Sequence, residues 1–148
     1  MNITPHLSYE EAVKTSSQFE NIPNEHQLRN IQNYAIHLFE PLRKIIGFPI
    51  LHNSLFRSKE VNEDKGGVSN SQHLCDNGAA GDLVKVKGYN YTNANIFNAI
   101  KELDYDQLIW EQGNDIEPEW VHVSYVSPDL NRREIWKTKD GKNYEKLS

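Results

Sequence analysis

Two kinds of hydrophobic spacing divide this chain. From Asn24 onward, Leu28, Ile31, Ala35, Leu38, Leu42 and Ile45 recur at steps of three and four, the spacing that lines one stripe of an amphipathic helix. Later come Gln107 to Glu111, Trp120 to Val126 and Arg133 to Thr138, three runs rich in β-branched and aromatic residues and separated by turn residues, as half-buried strands are. Helices first and strands later predict an α+β fold, with N-terminal helices packed on a mainly antiparallel sheet. A length of 148 residues is enough for one core, so a single domain over residues 1–148 is expected.

Shorter signals fill in the rest. Ser8-Tyr9-Glu10-Glu11 has the Ser-x-x-Glu spacing of a capping box and predicts a helix over about residues 9 to 15. Pro41 should bend the long helix and Gly47 should end it. Pro49 to Leu55 reads as a strand, Ser58 to Asp64 as a short helix, Asp82 to Val86 as another strand, and Thr92 as the cap of a helix burying Ile96, Phe97, Ile100 and Leu103. Between them lies a loop rich in Gly, Ser and Asn, residues 66 to 72.

Charge and composition exclude several functions. A net charge of -5 leaves no basic excess to neutralise phosphates, so no nucleic-acid partner is expected. Nothing approaches an apolar run of about 18 residues, so no membrane insertion is expected. The polar start MNITPHLSYEE lacks the regions of a signal peptide, which predicts synthesis in the cytoplasm. Cys75 is the only cysteine, so there is no intramolecular disulfide and no all-thiolate metal site. A metal would have to be held by His and carboxylates.

The informative segments are Ser71-Gln72-His73, with Asp82 nine residues further on, and Glu119-Trp120-Val121-His122. Two imidazoles and a carboxylate give zinc three protein ligands and leave the fourth position open, as catalytic zinc sites require. Zinc lowers the pKa of a water from about 16 to about 7, so hydroxide is available at neutral pH. Taken singly, His73 in a polar loop reads as a solvated side chain and Asp82 as a turn or cap residue. His122 is more telling, because alternation in Trp-Val-His-Val-Ser-Tyr-Val puts Trp120, His122 and Ser124 on one face and Val121, Val123 and Tyr125 on the other. With the valines facing the core, His122 faces a groove; a histidine satisfied by a hydrogen bond on the sheet face fits the same pattern.

Four segments in order, Arg57-Ser58, Gly66-Gly67-x-Ser69-x-Ser71-Gln72-His73, Gly78-Ala79-Ala80-Gly81-Asp82 and Glu119-Trp120-Val121-His122, resemble the zinc D-Ala-D-Ala carboxypeptidase family. That family includes the vancomycin-resistance D,D-dipeptidases and many phage endolysins, and it shares its fold with the hedgehog signalling domain. The similarity runs from the first helix to Val126, and the stretch from Pro41 to Ser58 resembles the small, phage-associated branch. The resemblance implies one zinc ion held by His73, Asp82 and His122, with Glu119 as general base and Arg57 stabilising the oxyanion. It places Ser71 and Trp120 beside the substrate, a peptidoglycan stem peptide, cut as by a D,D-carboxypeptidase or an endolysin-type endopeptidase. Without a signal peptide, such an enzyme would reach the cell wall by phage-type release.

The chain departs from the pattern at Leu74-Cys75-Asp76-Asn77, about two residues longer than usual. An outward bulge there leaves Asp82 in place, whereas Cys75 or Asp76 entering as a ligand would close the open position. That stretch motivates an alternative, a zinc-retaining but non-catalytic peptide-binding or regulatory domain. Glu119 also lies three residues from His122, so on a straight strand the two face opposite ways; a break at Pro118 is required, and Glu117 is the rival base. His6, His26, His37 and His52 match no motif and are expected to be structural or exposed.

Overall fold

The computed structural model describes residues 1–147. A short hairpin of β1 (Asn2–Thr4) and β2 (Leu7–Ser8) leads into α1 (Tyr9–Ala12). Then come α2 (Glu25–Tyr34), a π-helical turn (Ala35–Phe39) and α3 (Glu40–Ile46). β3 (Ile50–Ser54), α4 (Lys59–Asp64) and a 3-10 turn (Gln72–Leu74) follow. The remainder is β4 (Ala79–Lys85), α5 (Asn93–Ile100), β5 (Gln107–Glu111), β6 (Trp120–Tyr125), β7 (Glu134–Thr138) and β8 (Tyr144–Lys146). The six strands β3 to β8 form one sheet in the order β3-β4-β6-β5-β7-β8. Every pairing in it is antiparallel except β5 with β7, so the fold is α+β with a mostly antiparallel sheet.

The helix ends follow the local chemistry. Asn24 caps α2 in a reciprocal box with Gln27, and Thr92 caps α5 with Asn95. Gly47 ends α3 with φ +78°, where a side chain would be strained. At α1 the Ser8 hydroxyl accepts from Glu11 N at 3.0 Å, but the Glu11 carboxylate does not close the box. It bonds instead to His52 Nδ1 at 2.8 Å, and the helix ends at Ala12 rather than near residue 15.

The long helix departs from its expected stripe for a physical reason. Pro41 has no N–H to donate into the preceding turn, and the chain widens there into the π turn. The wider turn rotates the residues beyond it backward around the axis. Leu42 stays buried, while Ile45 is 52% exposed and Ile46 packs against the core in its place.

Alternation along the central strands separates two faces. Leu83, Val121, Val123 and Leu108 belong to the hydrophobic core with Ile31, Tyr34, Leu38 and Phe39, while Asp82, His122 and Glu111 take the other phase. β4 begins three residues before the expected Asp82, at Ala79, and Gly81 explains why this small-residue run can be a strand. A Cβ there would collide with the Tyr34 hydroxyl and the His52 ring, so only glycine lets α2 lie this close to β4.

Candidate metal centre

Three elements bring the predicted donors together. β4 and β6 pair with Asp82 directly opposite His122, a register that sets neighbouring cross-strand side chains side by side on one face. The 3-10 turn carries His73 over them; Ser71 caps it, its hydroxyl accepting from His73 N at 3.2 Å. The backbone of that turn is pinned by Arg57 N donating to His73 O at 2.8 Å. The ligand-capable atoms of His73, Asp82 and His122 all lie within 4.8 Å of one another, and all three residues are buried.

Hydrogen bonds decide which ring nitrogens face inward. His73 Nδ1 lies 2.7 Å from Leu55 O, a pure acceptor, so Nδ1 carries the proton. Its Nε2, 3.3 Å from Asp82 Oδ2, is then the nitrogen turned inward. His122 points Nδ1 at Asp82 Oδ1, 3.1 Å away, and Nε2 at Gln72 Oε1, 3.2 Å away. Burial alone would raise the Asp82 carboxyl, but the charges and hydrogen bonds of His73 and His122 overcome it and hold Asp82 well below the usual carboxylate range. With the outer ring nitrogens bonded to Leu55 O and Gln72 Oε1, the inner nitrogens of both imidazoles and the Asp82 carboxylate converge on one buried point. Positive charge there, from imidazole protons or from a metal cation, offsets the buried carboxylate, and the donor set of two imidazoles and a carboxylate suits zinc. The residues fit the metal.

The three donors open into a cleft of about 670 Å³ whose lining includes Arg57, Ser71, Gln72, Glu111, Trp120 and Tyr144. Arg57 Nη2 sits 3.7 Å from Asp82 Oδ2, with its Nε donating to Ser54 Oγ at 3.1 Å. A smaller cavity of about 280 Å³ adjoins this cleft at Arg57, Asp82 and Trp120 and is also lined by Lys14 and Lys65. The Trp120 indole N–H is buried without a hydrogen-bond partner among the described residues.

The longer stretch after His73 turns away from the donors. Cys75 ends the 3-10 turn at φ +59° and is wholly buried in the core, where burial pushes its thiol up to about 12. Helix α2 holds the stretch from outside: Asn30 Nδ2 donates to Cys75 O at 2.9 Å, Gln27 Nε2 donates to Asp76 Oδ1 at 3.0 Å, and His26 Nε2 lies 2.9 Å from Asp76 O. Neither Cys75 nor Asp76 joins the cluster of metal-capable groups found among the described residues. His52, outside every motif, is wholly buried between Glu11 and Tyr34, its Nε2 2.8 Å from the tyrosine hydroxyl.

Glu119 requires a correction. Glu119 sits in a bend just before β6, its N donating to Glu111 O at 2.9 Å, and the β5–β6 register runs on from Glu111 opposite Trp120 to Leu108 opposite Val123. The bend does not bring Glu119 to the metal donors: it is exposed and outside the lining of the cleft. Glu117 is engaged elsewhere, with Lys85 Nζ at 3.1 Å and Asn93 N at 2.7 Å. The carboxylate that does line the cleft is Glu111, 8% exposed, with no hydrogen-bond partner for its side chain among the described residues. Burial pushes its carboxyl up to about 7, the nearby His122 drawing it down and Asp82 raising it. The alternation of Gln107, Ile109 and Glu111 in β5 was the sequence signal that could have found it, but only once β5 is known to pair with β6.

Three buried protein donors facing a solvent-open cleft define the arrangement of a catalytic metal centre rather than a closed structural one. The comparison with known families agrees: the model described as Peptidase M15 matches residues 5–124, and the chain belongs to that family of zinc-dependent metallopeptidases. Among curated proteins, none matches it.

Proposed function

We propose that this chain is a zinc peptidase hydrolysing a peptide bond in peptidoglycan stem peptides, as a D,D-carboxypeptidase or an endolysin-type endopeptidase, with Glu111 as general base. The observation that carries the reading is the buried Glu111 carboxylate, without a hydrogen-bond partner among the described residues, in the same cleft as the His73, Asp82 and His122 donors. When bound there, zinc supplies a Lewis acid that acidifies water and polarises a carbonyl. Glu111, held near neutrality by its burial, accepts a proton from the attacking water and returns it to the leaving amine. Arg57 is fixed by Ser54 and Asp82 with its guanidinium at the cleft, where it stabilises the developing oxyanion. Trp120 forms the wall between the main cleft and the smaller cavity and screens the reacting bond from bulk water.

The substrate class is supported by the ordered motifs and by the lining of the smaller cavity. Lys14, Arg57 and Lys65 surround a space next to the metal donors in a chain whose net charge is -5, a placement suited to the carboxylates of stem peptides. The Leu74–Asn77 stretch, the motive for a non-catalytic zinc domain, stands clear of the donors, which supports turnover. Release into the wall by a phage-type route remains part of this reading. The test is mass spectrometry of purified peptidoglycan digested in parallel by zinc-loaded wild type, Glu111→Gln and Glu119→Gln. New termini from wild type and Glu119→Gln but not from Glu111→Gln are expected; intact stem peptides in the wild-type digest would overturn the proposal.

A further inference from the structure

Behind His122 a chain of polar groups runs through half-buried Gln72 to buried Asp106, and the proposed mechanism does not use it. Asp106 is 1% exposed and is gripped by Arg132, whose Nε donates to Oδ1 at 3.0 Å and whose Nη2 donates to Oδ2 at 2.8 Å. Arg132 N adds a further bond to Oδ1 at 2.9 Å. Gln72 Nε2 donates to Asp106 Oδ2 at 2.9 Å, and Gln72 Oε1 lies 3.2 Å from His122 Nε2. We propose that Asp106 and Gln72 are positioning residues that fix the tautomer of His122, so that its Nδ1 presents a lone pair to the metal.

The logic is one of donors and acceptors. A carboxylate bound by an arginine fork is acceptor-only, so the NH₂ of Gln72 must face Asp106 and the amide cannot flip. Its oxygen therefore faces His122, and an oxygen there requires the proton on Nε2. Nδ1 is then the nitrogen that faces Asp82 and the inner nitrogen of His73, and the one that gives up a proton to a metal cation there. Outer hydrogen bonds of this kind set the orientation and basicity of a ligand histidine. Asp106, two hydrogen bonds removed from His122, thus acts on the metal through Gln72. The proposal rests on the reading of His122 as a metal ligand.

Asp106→Asn tests it with nearly unchanged shape. The new NH₂ can donate to Gln72 Oε1, which lets the Gln72 amide turn and offer its own NH₂ to His122 Nε2. The proton then moves to Nδ1, the nitrogen that should hold metal. Nitrogen-15 NMR of metal-free protein should show His122 Nε2 protonated in wild type and deprotonated in Asp106→Asn. Zinc affinity by chelator competition should fall about 10- to 100-fold. In Gln72→Met the amide is gone, so Asp106→Asn added to it should have no further effect on either readout. Gln72→Met alone, which spares the buried Asp106, should still lose the Nε2 preference. An unchanged tautomer and zinc affinity within twofold of wild type in Gln72→Met or Asp106→Asn would overturn the proposal. Absence of zinc from wild type would instead sink the metal-site reading, while the NMR arm still decides whether Asp106 and Gln72 control the tautomer.

Discussion

Glu111→Gln keeps the shape of the side chain and removes its ability to take a proton, so it should act on activity and stability in opposite directions. For activity, loss of a general base slows the reaction by roughly 10²- to 10⁴-fold, about 3 to 5 kcal/mol of barrier. For stability, burial pushes the Glu111 carboxyl up to about 7 from an ordinary value of about 4.3. The folded protein therefore binds this proton more tightly than the unfolded chain, and stability falls as pH rises through that window. Each tenfold of proton affinity is about 1.4 kcal/mol, which caps the full penalty above neutrality near 4 kcal/mol. Because the carboxyl lines an open cleft, about 1 to 3 kcal/mol is expected. Urea unfolding of metal-free protein should show the glutamine variant more stable than wild type at pH 8 and equal to it at pH 4. A bound dication attracts the carboxylate and should shrink the difference at pH 8. Wild-type cleavage by Glu111→Gln, together with loss of activity in Glu119→Gln, would refute the assignment; equal stability of the two proteins at pH 8 would refute the account of its burial.

Other substitutions probe the frame around the site. His73→Ala and His122→Ala should each abolish stoichiometric zinc, read by metal analysis of purified protein, because two remaining donors do not hold the ion tightly. Gly81→Ala should lower stability by about 2 kcal/mol, since the added methyl meets the Tyr34 hydroxyl and the His52 ring; a thermal midpoint within a degree of wild type would contradict the packing described. Cys75 should resist an aromatic disulfide reagent at pH 8 in folded protein and react at once in urea, because its thiol is buried and pushed up to about 12.

Much of the fold was legible locally. The helix starts at Asn24 and Ser58, the cap at Thr92, the stop at Gly47 and the alternation of β6 depend on neighbours within a few residues, and the structure realises each of them. The start of β4 at Ala79 was not legible, because alanine and glycine have low strand propensity, and the glycine at 81 answers to the close approach of Tyr34 and His52 from elsewhere in the chain. The parallel pairing of β5 with β7 was equally hidden, since strand direction depends on the path of the connecting chain. Ile45 was misplaced because a regular helical period carries no sign of a π turn.

The sequence by itself determined the donors: residue type and ordered motifs pointed to His73, Asp82 and His122, and the tertiary structure brings them within 4.8 Å. It could not rank the carboxylates beside them. Glu119 is near His122 in sequence but stays exposed outside the cleft, whereas Glu111 is eleven residues distant and faces the cleft, because the β5–β6 register rather than chain proximity decides which side chains share a face. The fate of Cys75 was decided in the same way, by the contacts of α2 with the loop it packs against. Chemistry is written in residue identity; which groups meet is set by pairing and packing across the fold.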